Sequence, residues 1–178
     1  MRLTTIAAAT LALALATVAQ AQTINFDFDK SVSFGGFKTY AWVPGTNVPD
    51  QLVHNRLVNA VDVQLALKGM TKVHANTQPD VLIAYHASFD KDLQITGFGT
   101  GWGGYRFGGM RSGQARTEEI LVGTMVVDIV DAKTNNIVWR GTATKDIDVN
   151  AKPEKRDKNI NKTAEKLFKN YPPKAATN

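Results

Sequence analysis

Residues 97–113 bring together the side chains best suited to binding another molecule. This segment holds eight of the 14 glycines of the chain. Aromatic side chains and arginine carry much of the energy at protein interfaces, and large apolar groups are costly to leave in water. We therefore predict a contact surface here, although a flexible connection without function would have the same composition. The candidate binding residues are Phe98, Trp102, Tyr105, Arg106, Phe107, Met110 and Arg111.

The glycine spacing of this segment also matches a nucleotide-binding pattern, but the residues around it do not. Gly99 to Gly104 fits Gly-x-Gly-x-x-Gly, which binds a pyrophosphate only when a helix begins directly after the glycines. Residues 105–109 read Tyr-Arg-Phe-Gly-Gly and cannot begin a helix. The Lys-Ser or Lys-Thr pair of a phosphate-binding P-loop does not follow either. We therefore predict no nucleotide and no other cofactor.

The histidines and serines show no catalytic or metal-binding arrangement. His54, His74 and His86 share no ligand spacing, and the chain has no cysteine, so we predict no metal site. We expect His54 to be solvated and His86 to be packed or at a sheet edge. An enzyme needs a nucleophile and a base within reach of each other, and no sequence signal indicates such a pair. We predict a protein that is not an enzyme; a Ser or Asp beside His86 in a cleft would favour the alternative, a hydrolase.

Two strands joined by a polar turn, within residues 120–143, form the centre of the predicted fold. Apolar residues alternate there with period two, which indicates strands with one buried face. A register that pairs Asp131 with Ile137 leaves residues 132–136 as a five-residue loop. We assign to the buried face Met125, Val127, Ile129, Ile137, Trp139 and Ala143.

The same register gives four residues of this hairpin a structural role. Asp128 lies opposite Arg140 on the outer face, and such a cross-strand pair contributes about 0.2–1 kcal/mol. Arginine cannot act as a general base, so we interpret the pair as structural, not catalytic. Gly141 leaves room beside Trp139 for the indole ring.

Two amphipathic helices are predicted to cover the sheet. The first begins after an N-cap at Asp50 and ends at Lys68–Gly69. The second begins at Pro153 and has a lysine-rich outer face, which we interpret as solvated. Further strands are predicted at Ile24–Phe28, Thr39–Trp42 and Val81–Phe89. We expect an α+β fold with one mostly antiparallel sheet of four to five strands and two helices packed on one face, in the order β(β)-α-β-β-β-α.

The N-terminal residues predict export. Arg2, an apolar stretch over residues 6–19 and the small-x-small site Ala19-Gln20-Ala21 are typical of a secretory signal peptide. We predict cleavage after Ala21, a single domain over residues 22–173, and a disordered tail over residues 174–178. The absence of cysteine excludes disulfides and a lipid-bearing cysteine. We therefore expect a periplasmic protein, with secretion as the alternative, and the formal charge of +5 says little about its partner.

Several blocks of the sequence, taken in order, resemble a known family. They include residues 37–42 (Phe-Lys-Thr-Tyr-Ala-Trp), residues 123–134, residues 138–141 (Val-Trp-Arg-Gly) and residues 171–173 (Tyr-Pro-Pro). The chain is similar in these blocks to the bacterial cell-envelope family known as domain of unknown function 4136. The resemblance implies an α+β envelope domain and offers no catalytic residues. Many members are lipoproteins, and this chain departs from them by lacking the lipid-bearing cysteine.

Export and resemblance together favour a non-enzymatic envelope protein that acts by binding, in envelope maintenance or assembly. Its expected partner is an envelope protein, an anionic lipid or a cell-wall glycan, and export argues against nucleic acid. The alternative is a carrier of a small lipid or glycan with a pocket between the sheet and the helices, which a closed and filled core would exclude.

Overall fold

The computed structural model describes residues 22–46, 48–96 and 116–174. It contains one six-stranded sheet and two α-helices that pack on one face of it. Two single-turn 3-10 helices lie at Phe34–Gly36 and Ala75–Thr77. In chain order the elements are β1 (Gln22–Phe28), β2 (Thr39–Trp42), α1 (Gln51–Leu67), β3 (Thr71–Lys72), β4 (Val81–Thr96), β5 (Arg116–Asp131), β6 (Ile137–Ile147) and α2 (Pro153–Phe168).

The strand order in the sheet is β1-β6-β5-β4-β2-β3. The first four strands in this order are antiparallel neighbours, whereas β2 runs parallel to both β4 and β3. The expected class, one sheet with two helices, is confirmed, but four to five strands was too few. The two residues of β3 are too short to show a period, so the sequence pattern missed this strand. The parallel pairing follows because α1 is a crossover between β2 and the strands after it.

The register of the β5–β6 hairpin is confirmed at its centre and wrong at its turn. Asp128 pairs with Arg140 as predicted, but a bulge next to Ile129 pairs Val130, not Asp131, with Ile137. The bulge turns the side chain of Ile137 to the solvent, where it is 49% exposed, and the side chain of Val138 is buried instead. Assigning Ile137 to the buried face was therefore wrong, because period two does not continue through a bulge.

Trp139 is the largest side chain of the core and lies against the C-terminal part of α2. It is 1% exposed, stacks on Phe168 at a centroid distance of 5.2 Å, and meets Tyr171 edge-on at 5.5 Å. A Cβ at Gly141 would lie 2.3 Å from the indole Cη2, so the predicted need for glycine there is confirmed. The indole Nε1 has no hydrogen-bond partner within the described part of the chain.

Both helices begin and end close to their predicted limits. The Asp50 carboxylate accepts hydrogen bonds from the amides of Leu52 (2.8 Å) and Val53 (3.3 Å), which satisfies the first turn of α1. Gly69 follows α1 with a φ of 80°, a left-handed conformation that favours glycine. Pro153 occupies the first turn of α2. No helix among the described residues is long and apolar enough to cross a membrane.

Candidate functional site

A cavity of about 340 Å³ lies between the sheet and the N-terminal ends of both helices. It forms where β4, β5 and β6 continue beyond the part of the sheet that the helices cover. Large apolar side chains at its rim are unusually exposed: Phe89 at 45%, Ile147 at 37% and Val149 at 57%. The volume falls in the range of about 300–1,000 Å³ that is usual for small-ligand sites.

Two rows of residues that run across the strands form the cavity floor. The register places Ala87, Met125 and Ala143 in one row, and Gly123 lies in the next row towards the open end of the sheet. Three of these four residues are small, which deepens the floor. A Cβ at Gly123 would lie 2.8 Å from the Cδ1 atom of Ile147, so glycine allows that side chain to lie over the floor.

The N-terminal half of α1, the central part of α2 and the segment before α2 form the walls. From α1 come Val53 and Leu57, and from α2 come Ile160 and Thr163. An ion pair of 2.5 Å between Arg56 and Asp157 joins the two helices, so the walls are held at a fixed spacing. The lining is mainly apolar.

Most charged groups near the cavity already have partners. Asp148 pairs with Lys155 at 2.9 Å. The Arg156 guanidinium donates to the carbonyl oxygens of Ala151 (2.9 Å) and Val149 (2.8 Å). These contacts fix the turn between β6 and α2, which forms one edge of the cavity.

Lys145 differs from its charged neighbours. Its partly buried side chain shares the floor with Gly123, and its ammonium has no hydrogen-bond or ion-pair partner within residues 22–46, 48–96 and 116–174. Burial, followed by repulsion from Lys166 and Lys162, lowers the pKa of Lys145, while Asp146 opposes this shift. A positive charge in this position would be stabilised by an anion.

The seven residues of the predicted contact surface, with the rest of residues 97–115, lie outside the described part of the chain. This segment connects β4 to β5. The predicted signal peptide, residues 1–21, and tail residues 175–178 also lie outside it.

Asp128 and Arg140 meet on the face of the sheet opposite the helices. The guanidinium donates twice to the carboxylate, at 2.6 Å to Oδ1 and 2.7 Å to Oδ2. Asp128 is 3% exposed, and its hydrogen bond raises the pKa of Arg140. This bidentate geometry fits the structural role that the sequence predicted for the pair.

His86 lies beside this pair, and its Nδ1 atom is hydrogen-bonded. Nε2 is 3.6 Å from Oδ2 of Asp128. Nδ1 accepts from the Thr46 amide at 3.1 Å and lies 3.0 Å from the Thr46 hydroxyl. An Asp is therefore near His86, but the nitrogen that would act as a base is already occupied.

His54 is not solvated, contrary to prediction. Its Nδ1 lies 2.5 Å from the hydroxyl of Tyr85, and the rings are 5.5 Å apart. The helical pattern placed His54 beside the apolar stripe, where a ring can reach a neighbouring strand. No group of three His, Cys, Asp or Glu side chains that could hold a metal occurs in the described ranges.

A family model described as "Domain of unknown function (DUF4136)" matches residues 24–173. The chain belongs to the DUF4136 family. The resemblance inferred from the sequence blocks is thereby confirmed, and a search of curated proteins finds no match.

Two solved structures resemble this DUF4136 chain in fold. A DUF4136 family protein from Bacteroides thetaiotaomicron is 14% identical, with a TM-score of 0.54 over 85% of this chain and 96% of that one. A PDZ domain protein from Parabacteroides distasonis is 17% identical, with a TM-score of 0.56 over 90% of this chain. The DUF4136 chain spans 38% of the latter structure. At these identities the likeness concerns the fold alone.

Sequence reasoning gave a pocket between the sheet and the helices of this DUF4136 domain only as an alternative and did not identify its lining residues, although a signal for them was present. Small side chains at Ala87, Gly123 and Ala143 and a charge at Lys145 interrupt the apolar pattern on the helix-side face. The pattern shows the interruption, but only the strand register shows that these residues are adjacent.

Proposed function

We propose that this DUF4136 protein is an exported cell-envelope protein that acts by binding a small, mainly apolar ligand in the cavity between the sheet and the helices. The single observation that carries the proposal is the mainly apolar cavity of about 340 Å³. Binding pockets are typically preformed, concave and apolar, with a few polar groups that orient the ligand. This site has that composition.

The lining favours a lipid-like ligand over a glycan. Sugars are usually held by stacked aromatic rings and many free hydrogen-bonding groups, whereas Phe89 is the one aromatic ring among the lining residues described. The Asp148 carboxylate and the Arg156 guanidinium already bond to the protein itself. Apolar surface is what remains available for contact with a ligand, and each Å² of it removed from water stabilises the complex by about 25 cal/mol.

The surroundings of His86 support a role without catalysis. A general base needs a lone pair directed at the proton that it removes. The Thr46 amide donates to Nδ1, so Nε2 carries the proton of the neutral ring and faces Asp128. Turnover by the purified protein of an ester or glycoside substrate, lost on replacing His86 with Ala, would contradict this part of the proposal.

A neutral fluorescent probe, N-phenylnaphthylamine, tests the binding site directly. Ala87 lines the cavity, whereas its neighbour Ser88 is exposed on the opposite face of β4. Ala87→Leu places extra carbon atoms in the cavity and should weaken probe binding at least several-fold. Ser88→Leu places the same leucine side chain on the outer face and should leave binding unchanged.

Circular dichroism and thermal unfolding of both variants check that they are folded. Absence of probe binding by the parent protein would overturn the proposal. Equal effects of the two variants would also overturn it, since the probe would then bind elsewhere.

A second part of the proposal concerns residues 97–113, for which contact with an envelope protein, anionic lipid or cell-wall glycan stays a prediction. We expect Trp102→Ala with Tyr105→Ala to abolish crosslinks formed in intact cells between this segment and a partner. Unchanged crosslinks would contradict it.

Sequencing the N-terminus of the mature protein from the periplasmic fraction should give Gln22 as the first residue, and an uncleaved chain would contradict export.

A further inference from the structure

The cavity has a polarity gradient across the strands. One row of the register runs from Phe89 on β4 through Gly123 on β5 and Lys145 on β6 to Gln22 on β1. The row therefore changes from an aromatic ring to a cation within the width of three strands. Such a gradient matches a molecule with an apolar body and a charged end.

The apolar end of the gradient is bounded by α1 and β4. Val53 and Leu57 of α1 face the cavity above Ala87 and Phe89. Ile160 of α2 continues this surface towards β6. An extended hydrocarbon chain that lies across the strands would contact carbon atoms along this whole path.

The polar end of the gradient is built from β1, β6 and α2. The Gln22 side chain donates to the Thr163 hydroxyl at 2.8 Å, and that hydroxyl donates to the Asn159 carbonyl oxygen at 2.9 Å. These contacts hold Thr163 in place in the lining that it shares with Lys145. Lys145 therefore lines the cavity, and no carboxylate of the described residues accepts a hydrogen bond from its ammonium.

Among the described carboxylates that line the cavity, Asp146 offsets the lowered pKa of Lys145 in part, and none forms an ion pair with its ammonium. Asp50 caps α1, and Asp148 pairs with Lys155. Asp146 is adjacent in sequence, and the alternation of β6 directs its side chain to the other face of the sheet.

Lysines dominate the charge at the polar end. Lys155, Lys162 and Lys166 of α2 repel the ammonium of Lys145. A bound anion would relieve this repulsion and accept hydrogen bonds from the ammonium.

From this juxtaposition we propose that the ligand is a long-chain fatty acid anion, whose carboxylate binds Lys145 and whose hydrocarbon chain lies towards Phe89 and α1. The inference rests on the proposed function, since it names the class of ligand for the same cavity. A single-chain carboxylate suits one cation and one narrow apolar path, whereas a diacyl lipid would need two such paths.

Isothermal titration of the purified protein with laurate and with dodecanol, below their aggregation concentrations, separates the contribution of the charged end group to affinity from that of the hydrocarbon chain. Laurate should bind about 10–100-fold more tightly than dodecanol, the factor expected of a charge-assisted hydrogen bond. Lys145→Met should remove this difference by weakening laurate alone, and Lys145→Arg should retain most of it. Lys158→Met is the matched control: it removes one charge from an exposed position of α2 that does not line the cavity.

Each outcome has a distinct meaning. Equal affinity of the parent for laurate and dodecanol would reject the fatty acid anion while leaving an apolar binding site intact. Tighter binding of dodecyl phosphate than of laurate would reject the carboxylate. If neither laurate nor dodecanol binds, the proposed function fails as well. The comparison of ligands on the parent needs no variant, so it decides the question even if Lys145→Met does not fold.

Discussion

Replacing Gly141 with alanine should destabilise the protein by crowding the centre of the core. The new Cβ would lie 2.3 Å from the Cη2 atom of Trp139 and 2.8 Å from the Cδ1 atom of Leu167. Carbon atoms in contact normally lie about 3.5–4.0 Å apart, so both neighbours would have to move by more than half an ångström. Each is 1% exposed and has no solvent to move into.

The magnitude of this effect follows from how firmly Trp139 is held. Phe168 and Tyr171 contact its ring from two directions, so a shift of the indole displaces them as well. Added atoms in a well-packed core cost about 1–3 kcal/mol. Alanine also lowers the conformational entropy of the unfolded chain, which offsets about 0.4–1 kcal/mol of this loss in stability. We expect a net loss of about 1–2 kcal/mol, or a decrease in Tm of about 2–8 °C for a chain of this size.

Urea unfolding followed by tryptophan fluorescence, together with calorimetry, measures this loss. Gly123→Ala is the matched control, because its Cβ would meet the Cδ1 and Cγ1 atoms of Ile147 at 2.8 and 2.9 Å. Ile147 is 37% exposed and can rotate towards solvent, so we expect a change within about 0.5 kcal/mol. Equal losses in the two variants, or none at Gly141, would refute the packing described for Trp139.

Three further predictions concern charged and titrating groups. Arg140→Met leaves the Asp128 carboxylate, 3% exposed, without its partner and should cost about 1–3 kcal/mol in urea unfolding, whereas adding Asp128→Leu should restore much of the loss. Hydrogen bonds, first from the Lys38 amide, hold the pKa of Asp80 below its usual value, so its contribution is present above about pH 4 and is lost as the pH falls further. Asp80→Asn should therefore flatten the acid side of the stability profile, and an unchanged acid midpoint would contradict this. Burial raises the pKa of Tyr171 to about 12, so its contribution is present below about pH 10 and is lost as the pH rises through 12. Tyr171→Phe should flatten the alkaline side, and tyrosinate absorbance should show one late-titrating group fewer.

Features specified by neighbouring residues could be predicted from the sequence. The Asp50 cap, the Pro153 start of α2 and the pairing of Asp128 with Arg140 depend on local chemistry or on strand parity. The space that Gly141 leaves for an indole two residues away is equally local. These features follow because each is set within a few residues or within one hairpin.

Features that depend on distant parts of the chain could not be predicted in the same way. The bulge at Ile137 and Val138 inserts one residue into a pattern that alternates without interruption in the sequence. The engagement of His54 by Tyr85 joins a helix to a strand 31 positions away. Strand β4 was predicted to end at Phe89, but it continues to Thr96. Directly beyond Phe89, residues 90–92 read Asp-Lys-Asp and supply no apolar residue, so the predicted strand ended there although Leu93 and Ile95 continue the alternation.

The length of β4 explains why the cavity exists. A strand of 16 residues extends about 53 Å at 3.3 Å per residue. The 17 residues of α1 extend about 25 Å at 1.5 Å per residue, so a helix of this length covers only half of such a strand. The helix-side face must therefore become open where the helices begin, near Ala87 and Phe89.

The charge at Lys145 does not follow from these lengths. Its neighbours on the same face of β6, Ala143 and Ile147, are apolar, and an apolar residue between them would bury more carbon without desolvating an ammonium. A charged residue that opposes the local apolar pattern, with no partner among the residues that the structure describes, is the kind of position where a functional constraint is expected. Lys145, which has no hydrogen-bond or ion-pair partner among the described residues, is therefore the observation that supports an anionic group in the proposed ligand.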